Sequence, residues 1–424
     1  MLITRRQMLK GSAGLALLGW SSSARAAEGE APGQYTLDIR PGQAELLDAG
    51  GPKTPIWGYD GIVPGPLLRV KRGQRMTVAV TNKLVQPTSV HWHGLRIENA
   101  MDGVAGLTQE PIQPGETFNY SFVPPDAGTH WYHSHNRGWE QVARGLYGPL
   151  IVDEDDAVDV DRDLIIMADD WRLKSDGMLH EESFGNIGDR AHGGRLGNVL
   201  TLNAKPYERL IVKSGERVRL RMINSANARI MQFRLAGVEP WLAALDGQAI
   251  EPLKLAESAL RLAPAQRADL IFDVAAAAGA ELAISEVSGE EPLVAGYLQV
   301  EEAGDTPKRS ADEAPALPKH NVPMPDYSKA RIVELDMAGG AMGSAEDAVY
   351  KGKTLDARTL AREHGQVWTM NGTAGTGLEP LFSAAQGETI VIRIKNDTRW
   401  PHGMHMHGHH FVEKSRKPTA GFDF

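Results

Sequence analysis

Short runs in which apolar and polar residues alternate recur along the chain and predict β-strands. Successive side chains of a strand point to opposite faces, so a period of two marks a strand with one buried face. The clearest early examples are Tyr35 to Ile39, Leu67 to Val70, Met76 to Thr81 and Thr117 to Phe122. With 45 Gly and 25 Pro in 424 residues, this pattern favours several all-β domains.

One strand pattern occurs three times with the same framing residues. Each copy consists of a glycine turn, an alternating strand and an asparagine nine residues after the glycine. The copies run from Lys71 to Asn82, from Lys213 to Asn224 and from Ala385 to Asn396. An internal repeat of this kind predicts three related β-domains.

Histidines follow two of the three copies at the same spacing. The positions nine and eleven residues beyond the asparagine hold His91 and His93 after the first copy and His405 and His407 after the third. After the second copy the same positions hold apolar residues. Side chains two apart on a strand share a face, so each pair presents two imidazoles on one side. We therefore predict a metal cluster shared by the first and third domains, with the second as a spacer.

Changes in composition predict the boundaries of the domains. The acid-rich stretch after Asp153 indicates a linker, and the proline-rich, charged stretch after Glu301 indicates an extended connector. The predicted division is an export segment at 1–26, domains at 34–153 and 164–300, a connector at 301–329 and a third domain at 330–424.

The first residues resemble a twin-arginine export signal. Arg5 and Arg6 precede an apolar run from Gly11 to Trp20, and Ala24 to Ala26 is a small-residue cleavage signal. The alternative is a chance basic N-terminus on an amphipathic helix. We expect export by the twin-arginine machinery to a bacterial periplasm. No other apolar run is long enough to span a bilayer, so stable membrane insertion is not expected.

The charge of the chain argues against nucleic acid as a partner. The formal net charge is -9, and the export segment carries four basic residues and no acidic one. Its removal makes the remaining chain more acidic, which disfavours binding to a phosphate backbone.

Further histidines join the two repeat-linked pairs. His133 and His135 form another pair two residues apart, and His402 precedes the last pair. Imidazole clusters without thiolates suit copper, zinc or iron, and residue type alone leaves these open. The chain contains no Cys, so disulfides and thiolate ligands are both absent.

These histidine motifs resemble those of a known family. His91-Trp92-His93-Gly94, the segment Thr129 to His135 and the segment His402 to His409 are similar to three of the four copper-ligand motifs of the multicopper oxidases, which include laccases and copper-resistance oxidases. Segments such as Met101-Asp102-Gly103 and Trp368 to Gly372 extend the resemblance over almost the whole chain after the export segment. The resemblance implies three cupredoxin-like Greek-key β-sandwich domains and copper as cofactor.

The resemblance also implies a role for each residue. The type 2 copper would take His91 and His405, the type 3 pair would take His93, His133, His135 and His407, and the type 1 copper would take His402. The repeat spacing independently pairs His91 with His405 and His93 with His407. Asp102 resembles a catalytic acidic residue that helps to deliver protons to the trinuclear site. A simple Asp-Gly turn would also explain this residue.

The fourth motif of the family, a His-Cys-His with a further ligand downstream, has no counterpart. A blue type 1 copper takes a Cys thiolate and two His ligands, and this chain has no Cys. Only 19 residues follow His405. We therefore expect an incomplete type 1 site and a third domain that is incomplete at its C-terminus, through truncation or a frameshift rather than as a natural short form.

The function implied is that of a laccase-like oxidoreductase. Such an enzyme oxidises phenolic, amine or metal-ion reductants and reduces dioxygen to water, and we expect this activity to be impaired by the missing Cys motif. The alternative is a non-catalytic periplasmic copper-binding or copper-tolerance protein, or an inactive product. A relative of two-domain copper nitrite reductases and a hydrolytic zinc enzyme agree less well with the three repeats and paired histidines. A monomer is expected.

Overall fold

A computed structural model describes two compact units composed mainly of β-strands. The described residues are 32–47, 49–255, 258–304, 309, 316–319, 322–343, 346–376 and 379–416. The predicted export segment, 1–26, lies outside them. The first unit comprises the chain up to 181, 196–320 and 405–410, and the second comprises 182–195, 321–404 and the chain from 411. No described helix is both long and apolar enough to cross a membrane.

The first half of the first unit contains two four-stranded sheets. Its strands are β1 (Gln34–Ala44), β2 (Thr54–Tyr59), β3 (Leu68–Lys71), β4 (Met76–Asn82), β5 (Val90–His93), β6 (Thr117–Phe122), β7 (Gly128–Ser134) and β8 (Tyr147–Asp153). The sheet orders are β2-β1-β4-β6 and β3-β8-β7-β5. Strand β4 runs parallel to β1 and antiparallel to β6. The four strands predicted from alternation correspond to β1, β3, β4 and β6, and Val78, Trp92 and Tyr120 are fully buried in the core between the sheets.

The second half of the first unit has a larger pair of sheets. Its strands are β9 (Arg162–Trp171), β10 (Val199–Leu202), β11 (Glu208–Lys213), β12 (Arg217–Asn224), β13 (Met231–Leu235), β14 (Trp241–Leu245), β15 (Gln248–Lys254), β16 (Leu260–Leu262), β17 (Arg267–Asp273), β18 (Glu281–Glu286) and β19 (Leu293–Glu301). The orders are β10-β9-β12-β17-β14-β15 and β11-β19-β18-β13-β16. Strand β12 runs parallel to β9 and antiparallel to β17, as β4 does between β1 and β6.

The second unit contains one six-stranded sheet among the described residues. Its strands are β20 (Arg331–Gly339), β21 (Ala348–Tyr350), β22 (Lys353–Leu355), β23 (Trp368–Met370), β24 (Thr373–Ala374) and β25 (Ile390–Asn396), in the order β22-β21-β24-β23-β20-β25. The α-helices among the described residues of both units are α1 (Gly138–Gln141), α2 (Ile187–Ala191) and α3 (Ala357–His364). Short 3-10 helices occupy Asn99–Met101, Val142–Arg144, Glu181–Ser183 and Tyr327–Lys329. Helix α3 contributes Leu360 to a small core with Ala348 and Ala374.

The three copies of the sequence repeat form strands β4, β12 and β25. Their glycines adopt positive φ in the turn before each strand, at Gly73, Gly215 and Gly387. Their asparagines share one interaction, in which Oδ1 accepts a hydrogen bond from the backbone N–H two residues later, at Leu84, Ala226 and Thr398. The repeat therefore encodes a strand with a fixed turn at its start and a side-chain-capped turn at its end.

Hydrogen bonds between Thr129 and a buried ion-pair network join the two halves of the first unit. Asp269 of β17 accepts hydrogen bonds from Thr129 of β7 at 2.6 Å and from Arg219 of β12 at 2.5 Å. Arg221 donates to Thr129 at 2.9 Å and to Asp163 at 2.7 and 3.0 Å. Buried charges are retained only when such partners compensate their lost hydration, so this network fixes how the two halves pack.

Candidate metal centre

Antiparallel pairing of β5 and β7 places three histidines on one face. His91 lies opposite His133 and Trp92 opposite Tyr132. Because side chains alternate along a strand, Trp92 enters the apolar core while His91 and His93 point the other way. Nδ1 of His93 lies 3.4 Å from Nε2 of His133.

The segment 405–410 brings two further histidines against β5. Nε2 of His405 lies 3.4 Å from Nε2 of His91, and the His405 ring stacks on His93 with a centroid distance of 3.9 Å. The His407 ring centroid lies 4.1 Å from that of His91 and 4.9 Å from that of His135. Six of the seven predicted ligands therefore meet around His91.

His410 attaches this segment to the first unit. Its Nε2 donates to the carbonyl oxygen of Gly94 at 2.9 Å, and its Nδ1 lies 3.3 Å from Nε2 of Gln248. His410 lies three residues after His407, and Gly94 directly follows His93. The contact between them therefore attaches the 405–410 segment close to both predicted ligands. His410 is not among the predicted ligands, and its position in the sequence does not identify Gly94 as its partner.

The donor atoms form two groups that share one histidine. The first comprises His91, His93 and His133, the second comprises His91, His405 and His407, and within each group the donor atoms lie within 4.8 Å of one another. Two nitrogens bound to one ion at about 2 Å in tetrahedral geometry are about 3.3 Å apart. The two nitrogen pairs at 3.4 Å match this spacing, and imidazole is a ligand that copper prefers. The site therefore fits copper.

Asp102 orients two of these imidazoles. His407 donates from Nδ1 to Oδ2 of Asp102 at 2.8 Å, and His91 donates from Nδ1 to the Asp102 backbone oxygen at 2.8 Å. His133 similarly donates from Nδ1 to the Ser134 carbonyl at 2.9 Å. With Nδ1 protonated, the lone pair of each ring is on Nε2, the atom left to bind a metal.

Desolvation favours the neutral form of four of the imidazoles, which is the form that binds metal. Desolvation, together with the neighbouring histidines, holds the pKa of His93 and of His133 well below the usual value. The same causes lower the pKa of His135 to about 4 and that of His405 to about 3. Burial alone would raise the pKa of Asp102, but hydrogen bonds from His407 and His91 outweigh it and lower the pKa. Asp102 is therefore a carboxylate at neutral pH.

His402 lies in the second unit and belongs to neither donor group. Its Nε2 lies 2.9 Å from Oγ1 of Thr398, and its ring centroid is 4.9 Å from that of Trp368. It lines a cavity of about 270 Å³ together with Met337 and Met370. Its role as a type 1 copper ligand stays a prediction.

Gly94 and Arg267 support the cluster although sequence reasoning did not select them. Gly94 has a φ of +89°, and a Cβ there would lie 2.3 Å from Nη2 of Arg267. The buried Arg267 donates to the Thr129 carbonyl at 3.2 Å and to Asp246 at 3.0 Å. The sequence does offer a signal for Gly94, because it is the last residue of the motif that begins at His91. No sequence signal marks Arg267.

Family comparisons agree with the fold and with copper as cofactor. Models described as multicopper oxidase match residues 41–157, 163–293 and 350–420. The chain belongs to the multicopper oxidase family, a family of oxidoreductases whose cofactor is copper. Membership of this family confirms the predictions of all-β, cupredoxin-like domains and of copper as cofactor.

Individual relatives give the extent of the similarity. The chain is 30% identical to "Multicopper oxidase MmcO" of Mycobacterium tuberculosis, over 96% of this chain and 82% of that protein. It is 30% identical to "Copper resistance protein A" of Pseudomonas syringae pv. tomato, over 65% of this chain and 53% of that protein. The chain thus spans about half the length of the second relative.

Solved structures are also similar to this chain in both sequence and fold. A multi-copper oxidase from Pseudomonas thermotolerans is 36% identical, with a TM-score of 0.66 over 74% of this chain and 73% of that chain. Lac15 from a marine microbial metagenome is 44% identical, with a TM-score of 0.61 over 71% of this chain and 74% of that chain.

Proposed function

We propose that this chain binds copper through six histidines and acts as a laccase-like oxidoreductase. The ligands are His91, His93, His133, His135, His405 and His407. The proposed reaction takes electrons from a phenolic, amine or metal-ion reductant and reduces dioxygen to water. The observation that carries the proposal is the convergence of two donor groups on His91.

The histidines divide between two kinds of copper site. His91 and His405 are proposed for the type 2 copper because their Nε2 atoms lie 3.4 Å apart. The remaining four are proposed for the type 3 pair. Copper, when bound, supplies reversible one-electron transfer.

Asp102 is the proposed route for protons. Reduction of dioxygen to water consumes one proton for each electron, so protons must reach a site that includes the buried His91 and His93. Asp102 is a buried carboxylate in direct hydrogen-bond contact with His407. It can hold the His407 Nδ1 proton and pass protons between solvent and the cluster.

The composition favours a second candidate function. The chain has no Cys, so it cannot supply the thiolate of a blue type 1 copper. A copper-binding or copper-tolerance protein without turnover needs only the six histidines and no electron-entry site. It would bind copper and consume no oxygen.

Oxygen uptake by the copper-loaded chain with a phenolic reductant separates the two functions. Free copper and boiled protein are the controls, and copper content is measured on the same sample. Bound copper with uptake well above both controls supports the oxidase. Bound copper with no excess uptake supports the copper-binding function, and failure to bind copper contradicts both.

Export to the periplasm by the twin-arginine machinery is part of the proposal. It is supported by Arg5 and Arg6 ahead of an apolar run. We expect Arg5→Lys together with Arg6→Lys to retain the protein in the cytoplasm, as measured by cell fractionation. A periplasmic double variant would contradict this route.

The proposed organisation retains the sequence boundaries. Cupredoxin-like domains occupy 34–153, 164–300 and 330–424, and the connector occupies 301–329. We expect the chain to be a monomer, with no nucleic-acid partner and no stable membrane insertion. Light scattering of the purified protein tests that state.

A further inference from the structure

The side chain of Gln141 joins the end of β7 to the segment that leads into β5. We propose that Gln141 is a positioning residue for the predicted copper ligands His133 and His135, and that it acts through Ser134, which lies between them. This inference rests on the copper site of the proposed function. It adds a residue of helix α1 to the groups on which copper binding depends.

Ser134 is the last residue of β7 and has two polar groups with different tasks. Its carbonyl oxygen accepts the hydrogen bond from Nδ1 of His133 at 2.9 Å, which leaves Nε2 of that ring for a metal. Its hydroxyl donates to Oε1 of Gln141 at 2.5 Å. Because side chains alternate along a strand, the Ser134 side chain points away from the face that carries His133. Gln141 therefore holds, from the opposite face, the residue whose carbonyl orients His133.

The buried amide of Gln141 uses both of its ends. Oε1 accepts a second hydrogen bond from Oγ1 of Thr88 at 2.8 Å, and Nε2 donates to the Pro87 carbonyl oxygen at 2.9 Å. A carbonyl can only accept, so the group that faces Pro87 must be the amide NH2, and this fixes the orientation of the amide. Gln141, Thr88 and Ser134 are each 0% exposed. A buried polar network with satisfied partners is rigid, so the amide is a firm link between the two segments.

The segment on the β5 side is itself anchored. The backbone N–H and C=O of Thr88 both bond to Ile112, at 3.1 and 2.8 Å. The next residue, Ser89, accepts a hydrogen bond from the backbone N–H of His135 at 3.2 Å. Strand β7 ends one residue before His135. The position of His135 therefore depends on the Ser89 bond and on the link that Gln141 makes to this segment.

The backbone of Gln141 contacts the same strand end independently of its side chain. Its carbonyl oxygen accepts from the N–H of Leu146 at 3.1 Å, and the Leu146 carbonyl accepts from the N–H of Ser134 at 3.1 Å. A substitution of the side chain retains these backbone bonds. It leaves the hydroxyls of Thr88 and Ser134 without their buried acceptor, so the end of β7 loses its fixed position.

The test measures copper affinity by competition with a chelator of known affinity, on full chains that circular dichroism shows to be folded. We expect Gln141→Leu, which has a similar size but no amide, to weaken copper binding about tenfold. Thr88→Val removes one donor and keeps the shape, so it should weaken binding less. Thr88→Ser keeps the hydroxyl and should bind copper as wild type does. The double variant Gln141→Leu with Thr88→Val should lose little more than Gln141→Leu alone, because both changes remove the same bond.

Thr201→Val is the matched control. Thr201 is also fully buried, and its hydroxyl accepts a hydrogen bond from Trp171 at 2.9 Å in the second half of the first unit. Its loss should lower the free energy of unfolding, as Thr88→Val does, but should leave copper affinity unchanged. A purely structural role of the Gln141 network would lower stability in both variants without this difference in affinity.

Two results would overturn the inference. The first is wild-type copper affinity in folded Gln141→Leu and Thr88→Val. The second is an equal loss of affinity in Thr88→Val and Thr201→Val. If Gln141→Leu does not fold, the comparison of Thr88→Val with Thr88→Ser decides. A wild-type chain that binds no copper contradicts the proposed function and this inference with it, whereas copper binding that the variants leave unchanged contradicts only the role of Gln141.

Discussion

His407 donates from Nδ1 to Oδ2 of Asp102 at 2.8 Å, although 305 positions separate them in sequence. The backbone oxygen of Asp102 accepts a hydrogen bond from His91 at the same distance. One residue of the turn after β5 therefore sets the orientation and tautomer of two cluster imidazoles. This arrangement resembles the outer hydrogen bonds that orient metal-binding histidines in general.

Removal of the Asp102 side chain should weaken copper binding. We expect Asp102→Ala to reduce copper affinity by roughly tenfold to hundredfold, because His407 loses its acceptor. Asp102→Asn retains an amide oxygen at this position and should lose less. Competition with a chelator of known affinity measures the effect, and the exposed Asp156→Asn is the control. An unchanged copper affinity in Asp102→Ala would show that the Asp102 side chain does not position His407 for copper binding.

His91 and His405 should affect the same ion. Their Nε2 atoms lie 3.4 Å apart, so loss of either should release the copper that they share. We expect His91→Ala and His405→Ala each to lower bound copper, and the double variant to lose little more than the more affected single variant. Metal content per chain measures this, with the exposed His364→Ala as control. Additive, independent losses would show that the two histidines serve different ions.

Gly94 should tolerate substitution worse than Gly73. Both have positive φ, at +89° and +75°, so an added Cβ strains both backbones by about 1 kcal/mol. At Gly73 no atom lies within 4 Å of the added Cβ, whereas at Gly94 the Arg267 guanidinium lies at 2.3 Å. We expect Gly94→Ala to cost about 1–3 kcal/mol more than Gly73→Ala in urea unfolding, and to lower copper content. Equal costs would mean that Arg267 moves away freely.

Asp163 should stabilise the first unit at neutral pH but not in acid. Burial alone would raise its pKa, but Arg221 and Arg69 outweigh burial and hold the pKa below its ordinary value of 3.8. A carboxyl whose pKa is lower in the folded state contributes stability above its unfolded pKa, and this contribution is lost as the pH falls through the folded pKa. We expect Asp163→Asn to cost roughly 3 kcal/mol at pH 7, because it removes one partner of a buried pair.

Urea unfolding of wild type and Asp163→Asn at pH 7 and pH 3 tests this dependence. The difference between the two proteins should shrink at the lower pH, because the Asp163 carboxyl of the unfolded wild-type chain takes up a proton there and so favours unfolding. Asp156→Asn should match wild type at both values. A difference that is the same at both pH values would show that the effect does not come from ionisation.

The sequence by itself determined the local elements and the strand faces on which the predicted ligands lie. Alternation marked β4 and β6, and the repeat marked β12 and β25, because a strand has a period of two that any chain segment displays locally. The same period put His91 and His93 on one face. Copper followed from motif resemblance, since imidazoles alone also suit zinc or iron.

Only the tertiary structure decided which distant groups meet. It joined Asp102 to His407, placed His410 on Gly94 and Arg267 beside it, and put His402 in a different unit from the other predicted ligands. It also left β25 at a sheet edge, whereas β4 and β12 are central. The physical reason is that periodicity specifies which face of a strand is apolar but not which other strand covers it. That choice depends on packing between segments far apart in the chain.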